Sequence, residues 1–195
     1  MAKITHDSLM TLEAYAKARD GFRARVMAHK KHRTLHLGDH VTLIFEDELT
    51  MRYQVQEMLR AEKIFEEASI QGELDTYNPL VPDGANWKAT MMIEYADIEE
   101  RRAMLAKLIG ADGRVWVQAA GQPRVYAIAD EDLERETAEK TSAVHFLRFE
   151  LTPVMIAALR QGAALAMGID HPAYQAKIGA VSEAVRASLL ADLAA

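Results

Sequence analysis

Residues 41–71 constrain the fold of this chain more than any other stretch. Val41 to Phe45 is a short β-branched and aromatic run, which is typical of a strand that contributes to a core. Asp47 can cap a helix, and apolar side chains follow at three- and four-residue spacing: Met51, Val55, Met58, Leu59, Phe65 and Ala68. Glu62 falls on the same stripe, which predicts a buried carboxylate paired with an arginine or lysine from residues 19–33. The stretch therefore predicts a strand and then one long central helix that ends near Gln71.

The other elements follow no regular alternation of strand and helix. Periodicity and capping residues predict helices at 8–33, 97–108, 152–162 and 180–193, and strands at 34–37, 89–95, 115–119, 124–128, 143–150 and 163–169. Glycine-containing turns predict two hairpins, one between the strands at 34–37 and 41–45 and one between those at 115–119 and 124–128. We interpret residues 73–88 as a loop, residues 110–113 as an ordinary turn, and the charged run 130–140 as a surface helix or a solvated arm.

Strands joined both by hairpins and by single helices are typical of an α+β fold with a largely antiparallel or mixed sheet. We expect a single domain over residues 1–195, with a long central helix and with N- and C-terminal helices. Residues 1–33 would form a basic helical arm, and residues 34–195 the α+β body. The order of strands and helices after residue 89 also suggests a ferredoxin-like unit in the second half.

Composition excludes several classes of protein. The chain has no cysteine, so disulfides, thiolate zinc sites, cysteine nucleophiles and cysteine-ligated iron–sulfur clusters are excluded. No apolar run approaches the roughly 18 residues of a membrane span, and the first residues do not resemble a secretory signal. We therefore expect a cytoplasmic protein that does not enter a membrane. The chain also lacks a P-loop and the GxGxxG, GxSxG and HExxH motifs, which argues against a familiar hydrolase, kinase or dehydrogenase.

Four residues near strand ends form a candidate metal site. Glu94 and Glu150 each end an apolar strand just before a helix cap, His145 shares a strand face with apolar residues, and His171 ends a third strand. Two carboxylates and one or two histidines would suit iron or manganese if the strands bring them together. Alternatively, His145 is a hydrogen-bonded core residue and the two acids simply face solvent.

Four closely spaced histidines form another candidate metal site. They either bind a metal or extend the basic segment described next: His29, His32, His36 and His40.

Residues 17–36 carry seven lysine and arginine side chains and one acid, although the whole chain has a net charge of −6. Such a basic segment on an acidic body either docks within the molecule or binds an anionic partner. The candidate partner-binding residues are Arg23, Arg25, Lys30, Lys31 and Arg33. Nucleic acid fits less well as the partner, because the segment lacks aromatic side chains beyond Phe22 and the rest of the chain would repel phosphate.

Several motifs resemble a bacterial family catalogued as domain-of-unknown-function family 3501, over nearly the whole chain. They are Phe45-Glu46 before Thr50, Gln56-Glu57-Met58, Tyr77-Asn78-Pro79, Ala89-Thr90 with Ile93-Glu94, and His145-Phe146 with Arg148-Phe149. The family has no assigned activity. The resemblance implies a place in cytoplasmic redox or peroxide handling, beside rubrerythrin and a heterodisulfide-reductase-like iron–sulfur protein.

Two functions follow as expectations. The first is an accessory protein of a redox or peroxide-response system that binds rubrerythrin or an iron–sulfur oxidoreductase through the basic segment. The alternative is an enzyme or sensor that holds iron or manganese at Glu94, His145, Glu150 and His171. The sequence leaves open whether the protein is an enzyme at all, and whether it forms a homo-oligomer.

Overall fold

The computed structural model describes residues 3–131 and 135–194, and its α+β architecture confirms the expected fold class. The helices in this part of the chain are α1 (Leu12–Lys30), α2 (Glu48–Ala61), α3 (Glu67–Tyr77), α4 (Ile98–Lys107), α5 (Pro153–Arg160) and α6 (Glu183–Leu190). The expected caps are present, because the side chains of Asp47, Asp97 and Thr152 accept hydrogen bonds from the first turns of α2, α4 and α5. No helix in the described residues is long and apolar enough to cross a membrane.

The strands form two antiparallel sheets. Their bounds are β1 (Thr34–Leu37), β2 (Val41–Glu46), β3 (Asn86–Ile93), β4 (Val115–Ala119), β5 (Val125–Tyr126), β6 (Ile128–Ala129), β7 (Val144–Glu150), β8 (Leu165–His171) and β9 (Tyr174–Ile178). The first sheet has the order β1-β2-β3-β7-β6, and the second has the order β5-β4-β8-β9. Both predicted hairpins are confirmed, since β1 pairs with β2 and β4 pairs with β5.

The main core lies between the two sheets. Their inward side chains include Leu43, Phe45, Trp87, Met91 and Phe149 from the first sheet and Val115, Val117, Met167 and Ile169 from the second. The chain crosses between the sheets at Ala127, whose N–H donates to the Val115 carbonyl at 2.8 Å. On the other side, the Tyr174 hydroxyl donates to the Leu37 carbonyl at 2.6 Å and accepts from the His40 N–H at 3.0 Å. The two sheets are therefore tied together at both edges.

The first three helices form a second, smaller core with the N-terminal segment. It contains Ile4, Met51, Val55, Leu59, Leu74 and Val81. The expected basic arm is thus a packed helix, and α1 buries Tyr15 and Val26 against its neighbours.

The expectation of one long central helix is wrong at residues 62–66. Helix α2 ends at Ala61, Lys63 has a φ of 56°, and α3 begins at Glu67. Because the chain turns here, Glu62 is exposed rather than buried, and Phe65 is 75 % exposed. The expected loop at 73–88 is shorter than predicted, since α3 reaches Tyr77 and β3 begins at Asn86.

Two further expectations need correction in the second half of the chain. The prediction missed β9, which follows β8 as a hairpin. A ferredoxin-like unit would place the strands after residue 89 in one sheet, but β3 and β7 belong to the first sheet and β4 and β8 to the second. Of the charged run 130–140, residues 132–134 lie outside the described residues, and no helix forms in the rest.

Candidate metal centre

Three separate segments meet at one end of the sheet sandwich. Asp112 begins a short 3-10 helix (Asp112–Arg114) before β4, Asp130 directly follows β6, and His145 is the second residue of β7. Alternation along β7 turns His145 to the same inward face as Leu147 and Phe149, so its side chain is fully buried. One ligand atom from each of Asp112, Asp130 and His145 lies within 4.8 Å of the others. The fold therefore assembles two carboxylates and an imidazole that are far apart in the sequence.

The hydrogen bonds of His145 determine which ring nitrogen faces the acids. Nε2 lies 3.0 Å from the Ser142 carbonyl oxygen and 2.9 Å from the Thr141 hydroxyl oxygen. Since a carbonyl oxygen only accepts, this geometry places a hydrogen on Nε2. Nδ1 lies 2.6 Å from Oδ2 of Asp130 and 3.9 Å from Oδ2 of Asp112. Both of these neighbours are carboxyl oxygens, so either a proton or a bound cation must lie between Nδ1 and the acids.

Asp130 is held in a strained and oriented position. Its φ of 48° lies in the left-handed region, which non-glycine residues seldom adopt outside special sites. Its Oδ1 accepts from the backbone N–H of Phe146 at 3.0 Å and from Nη1 of Arg135 at 3.2 Å. These bonds leave Oδ2 directed at His145. Outer partners of this kind orient metal ligands in proteins.

The site is largely shielded from solvent, since the side chains of Asp112 and Asp130 are 14 % and 9 % exposed. Burial raises the pKa of the Asp112 carboxyl above its ordinary value, while the neighbouring His145 opposes the increase and Glu136 adds to it. Arg135 supplies a positive charge on the outer side of Asp130. A carboxylate that is costly to charge in isolation is stabilised by a bound cation.

The structure does not bring together the four residues that the sequence proposed as metal ligands. Glu94 is exposed beyond the end of β3 and accepts from the Thr42 hydroxyl at 2.6 Å. Glu150 is exposed at the far end of β7, about 17 Å along the strand from His145, and pairs with Arg148. The buried His171 belongs to the second sheet, where Nε2 donates to the Ile109 carbonyl at 3.1 Å. Only His145 of these four joins the cluster.

The closely spaced histidines also do not share a site. His29 contacts Asp47 at 2.5 Å, His36 contacts the Thr42 hydroxyl at 3.0 Å, and His32 is exposed. His40 stacks on the ring of Tyr95 with centroids 3.9 Å apart.

The proposed partner-binding residues divide into two groups. Arg23, Arg25 and Lys31 are exposed and Lys30 is half-buried, so these four can meet a partner. Arg33 cannot, because it is 1 % exposed and donates to the Phe45 and Glu46 carbonyls and to Asp192. The assignment of Arg33 to a binding surface is therefore corrected to a structural role.

Sequence reasoning missed Asp112 and Asp130. The interpretation of residues 110–113 as an ordinary turn, and of residues 130–140 as a surface helix or a solvated arm, gives neither acid a role. The sequence feature that could have identified them is their position at strand ends, since each acid lies within three residues of a short apolar strand. That signal could not show which strand ends meet.

A family model described as a protein of unknown function (DUF3501) matches residues 3–193. No curated protein matches the chain. Among solved structures, the chain is similar to the crystal structure of a novel protein of unknown function from Burkholderia pseudomallei K96243, with 57 % sequence identity and a TM-score of 0.94. That similarity covers 99 % of this chain and 100 % of the other.

Proposed function

The chain belongs to the DUF3501 family of proteins of unknown function, and we propose that it is a cytoplasmic protein that binds one iron or manganese ion at Asp112, Asp130 and His145. The observation that carries the proposal is the convergence of the three ligand atoms within 4.8 Å, from three separate segments. Two carboxylate oxygens and one imidazole nitrogen suit these metals better than they suit soft metals, which prefer sulfur. The ion would serve a metal sensor or a metal-dependent enzyme.

The arrangement of hydrogen bonds supports this choice of site. Nε2 of His145 is occupied by the Ser142 carbonyl, which directs the lone pair of Nδ1 toward the carboxylates. An ion between Nδ1 and Oδ2 of both acids would neutralise two carboxylates that are mostly buried. Three protein ligands would leave coordination positions for water or substrate, as in non-haem iron sites with open positions. In the competing account, a proton between Nδ1 and the carboxyl oxygens takes the place of the metal.

Metal analysis of protein without a histidine tag tests the proposal. Protein incubated with Mn(II), or anaerobically with Fe(II), and then desalted should retain about one ion per chain. A bound ion should also raise the melting temperature, because a ligand present at 100 times its Kd stabilises the folded state by about 2.7 kcal/mol. Substoichiometric metal that does not change on supplementation would establish the proton-held cluster instead.

Matched variants separate this site from the residues proposed from the sequence. His145→Gln and Asp112→Asn should abolish the metal-dependent rise in melting temperature. Glu150→Gln removes a carboxylate on the same strand as His145 but at its other end, so it should bind metal normally. Normal binding by Asp112→Asn together with lost binding by Glu150→Gln would contradict the assignment.

A second proposed function is the docking of an acidic redox partner on the exposed basic face of α1. The support is that Arg23, Arg25, Lys30 and Lys31 form no ion pair with any described residue. The family resemblance suggests rubrerythrin or an iron–sulfur oxidoreductase as the partner. Purified rubrerythrin should be retained at low salt and released at moderate salt, because such contacts are screened. The triple variant Arg23→Glu, Arg25→Glu, Lys31→Glu should not retain it, and equal retention by this variant would refute the docking face.

A further inference from the structure

Lys88 lies on the outer face of the first sheet, between two cavities. It stands opposite Arg148 of β7 and Glu46 of β2 in the strand ladders. The smaller cavity, of about 240 Å³, has walls that include Pro79, Leu80, Phe146 and Leu147, and a larger one of about 710 Å³ extends toward Ile4 and Asn78. Lys88 lines both. Its side chain is therefore accessible from a partly enclosed space, in which the smaller cavity has an apolar wall beside the charged Glu131 and Arg148.

The amine of Lys88 makes no hydrogen bond or ion pair with any described residue, although three acids lie near it. Arg148 holds two of these acids: it contacts Glu131 through Nε at 2.7 Å and Nη2 at 2.8 Å, and it contacts Glu150 through Nη1. Asp83 accepts the backbone N–H of Ala85 at 2.9 Å. These three acids thus bond other groups. Glu46, opposite Lys88 on β2, accepts the Thr90 hydroxyl at 2.7 Å through Oε1, and its Oε2 makes no bond to the amine.

The electrostatic surroundings favour a neutral amine. Burial lowers the pKa of Lys88 and the adjacent Arg148 lowers it further, while Glu131, Asp83 and Glu150 oppose the decrease without cancelling it. Each unit by which the pKa falls gives about ten times more neutral amine at neutral pH. Burial beside a second cation is a known way to make lysine nucleophilic.

We propose that Lys88 is a nucleophilic amine that forms an imine with small aldehydes or ketones whose apolar body fits the cavity beside Leu80 and Phe146. The Nζ lone pair attacks the carbonyl carbon, and the former C=O π electrons form an alkoxide that takes up a proton while the nitrogen loses one. The hydroxyl group then takes up a second proton and leaves as water, which breaks the C–O bond, while the nitrogen lone pair forms the C=N bond and the nitrogen releases its remaining proton. The site uses none of the proposed metal ligands, so it stands apart from the metal-binding function.

Reductive trapping at pH 7 with benzaldehyde and cyanoborohydride tests this inference. Cyanoborohydride delivers hydride to the imine carbon, so each reacted lysine becomes a stable benzylated amine that peptide mass spectrometry can locate. The exposed Lys31, Lys63, Lys107 and Lys177 serve as comparators within the same chain. Lys88 should be labelled about tenfold faster than these lysines, or more. Labelling of Lys88 at or below their rate would overturn the proposal.

Three further measurements test the reactivity of the Lys88 amine separately from the fit of an apolar body in the cavity. Arg148→Gln removes the neighbouring cation and frees two acids to pair with Lys88, so labelling at Lys88 should slow while the comparators keep their rates. If that variant does not fold, a pH profile of the wild type serves, because labelling of Lys88 should level off at a lower pH than labelling of Lys107. Formaldehyde needs no cavity, so preferential labelling of Lys88 by formaldehyde alone would overturn the proposed fit of an apolar body.

Discussion

Arg19 of α1 and Glu57 of α2 form a two-point ion pair that joins the first two helices. Arg19 donates from Nε to Oε1 at 2.8 Å and from Nη2 to Oε2 at 2.7 Å, and the Tyr15 hydroxyl donates to Oε1 at 2.6 Å. The hydrogen bond from Arg19 lowers the pKa of Glu57 to about 2, with help from Tyr15 and against the effect of burial. At this position, a basic residue of the N-terminal segment therefore pairs with an acid of the same molecule.

Glu57→Gln should remove a contribution to the unfolding free energy that depends on pH. The folded-state pKa of about 2 lies below the ordinary 4.5, so the contribution of Glu57 is complete above about pH 4.5 and is lost as the pH falls toward 2. At pH 7 we expect the variant to lose about 1 kcal/mol of unfolding free energy, a value reduced for partial solvent exposure of the pair. Urea titrations at pH 7, 5, 4 and 3 should show the wild type and the variant converging in acid.

Glu62→Gln is the matched control, because it makes the same chemical change just past the C-terminal end of α2. Glu62 is exposed, so this variant should stay within about 0.5 kcal/mol of the wild type at every pH. A loss at Glu62 as large as the loss at Glu57 would mean that the side chain is packed against the body after all.

The contrast between Glu57 and Glu62 shows what the sequence could predict. Apolar spacing correctly indicated a helix after Asp47, but its prediction of a buried, paired Glu62 is wrong. The carboxylate that pairs with an arginine of the N-terminal segment is Glu57. The spacing continues past Ala61, where the helix ends. The break carries no glycine or proline. Lys63 itself adopts the left-handed conformation that glycine usually supplies at the end of a helix.

The candidate site was less predictable than the strands that carry it. Alternation along β7 correctly placed His145 on the apolar face, because that pattern is local. Its partners depend on which strands pair and in which direction. The antiparallel pairing of β3 with β7 places Glu150 beside Asn86, at the opposite end of β3 from Glu94, while the crossing between the sheets brings Asp130 to His145. Such long-range pairings leave no trace in the local spacing of residues.

Arg33→Gln should destabilise the protein strongly. The guanidinium is buried among the Phe45 and Glu46 carbonyls, Asp192 and Asp47, so the variant leaves buried carboxylates without compensation. We expect a loss of about 3–5 kcal/mol of unfolding free energy. Arg25→Gln, an exposed change on α1, should stay within about 0.5 kcal/mol. Chemical denaturation compares the two, and a mild effect at Arg33 would contradict its structural role.

Gly168→Ala should be destabilising through steric contact alone. A Cβ at this position would lie 2.4 Å from Cζ2 of Trp116 and 2.7 Å from the Ala176 carbonyl oxygen, on both neighbouring strands. Relieving these contacts means moving a buried indole or the backbone of β9, which costs about 1–3 kcal/mol. Gly179→Ala is the control, since nothing lies within 4 Å of the position that its new methyl group would occupy. Equal melting temperatures for the two variants would show that the sheet around β8 accommodates the added methyl group at little cost.

Glu46→Gln should leave stability unchanged or raise it by about 1 kcal/mol, because it removes a buried charge that is only partly compensated. Glu46 is 4 % exposed, and its Oε1 accepts the Thr90 hydroxyl at 2.7 Å, but Oε2 has no hydrogen-bond partner among the described residues. The glutamine keeps an oxygen for Thr90 and a similar volume. Glu46→Ala should instead cost about 1–3 kcal/mol, since it leaves the Thr90 hydroxyl unpaired and opens a void. Thermal and urea unfolding of both variants distinguish these effects. A glutamine variant as unstable as the alanine variant would show that the negative charge of Glu46 is itself required for the fold.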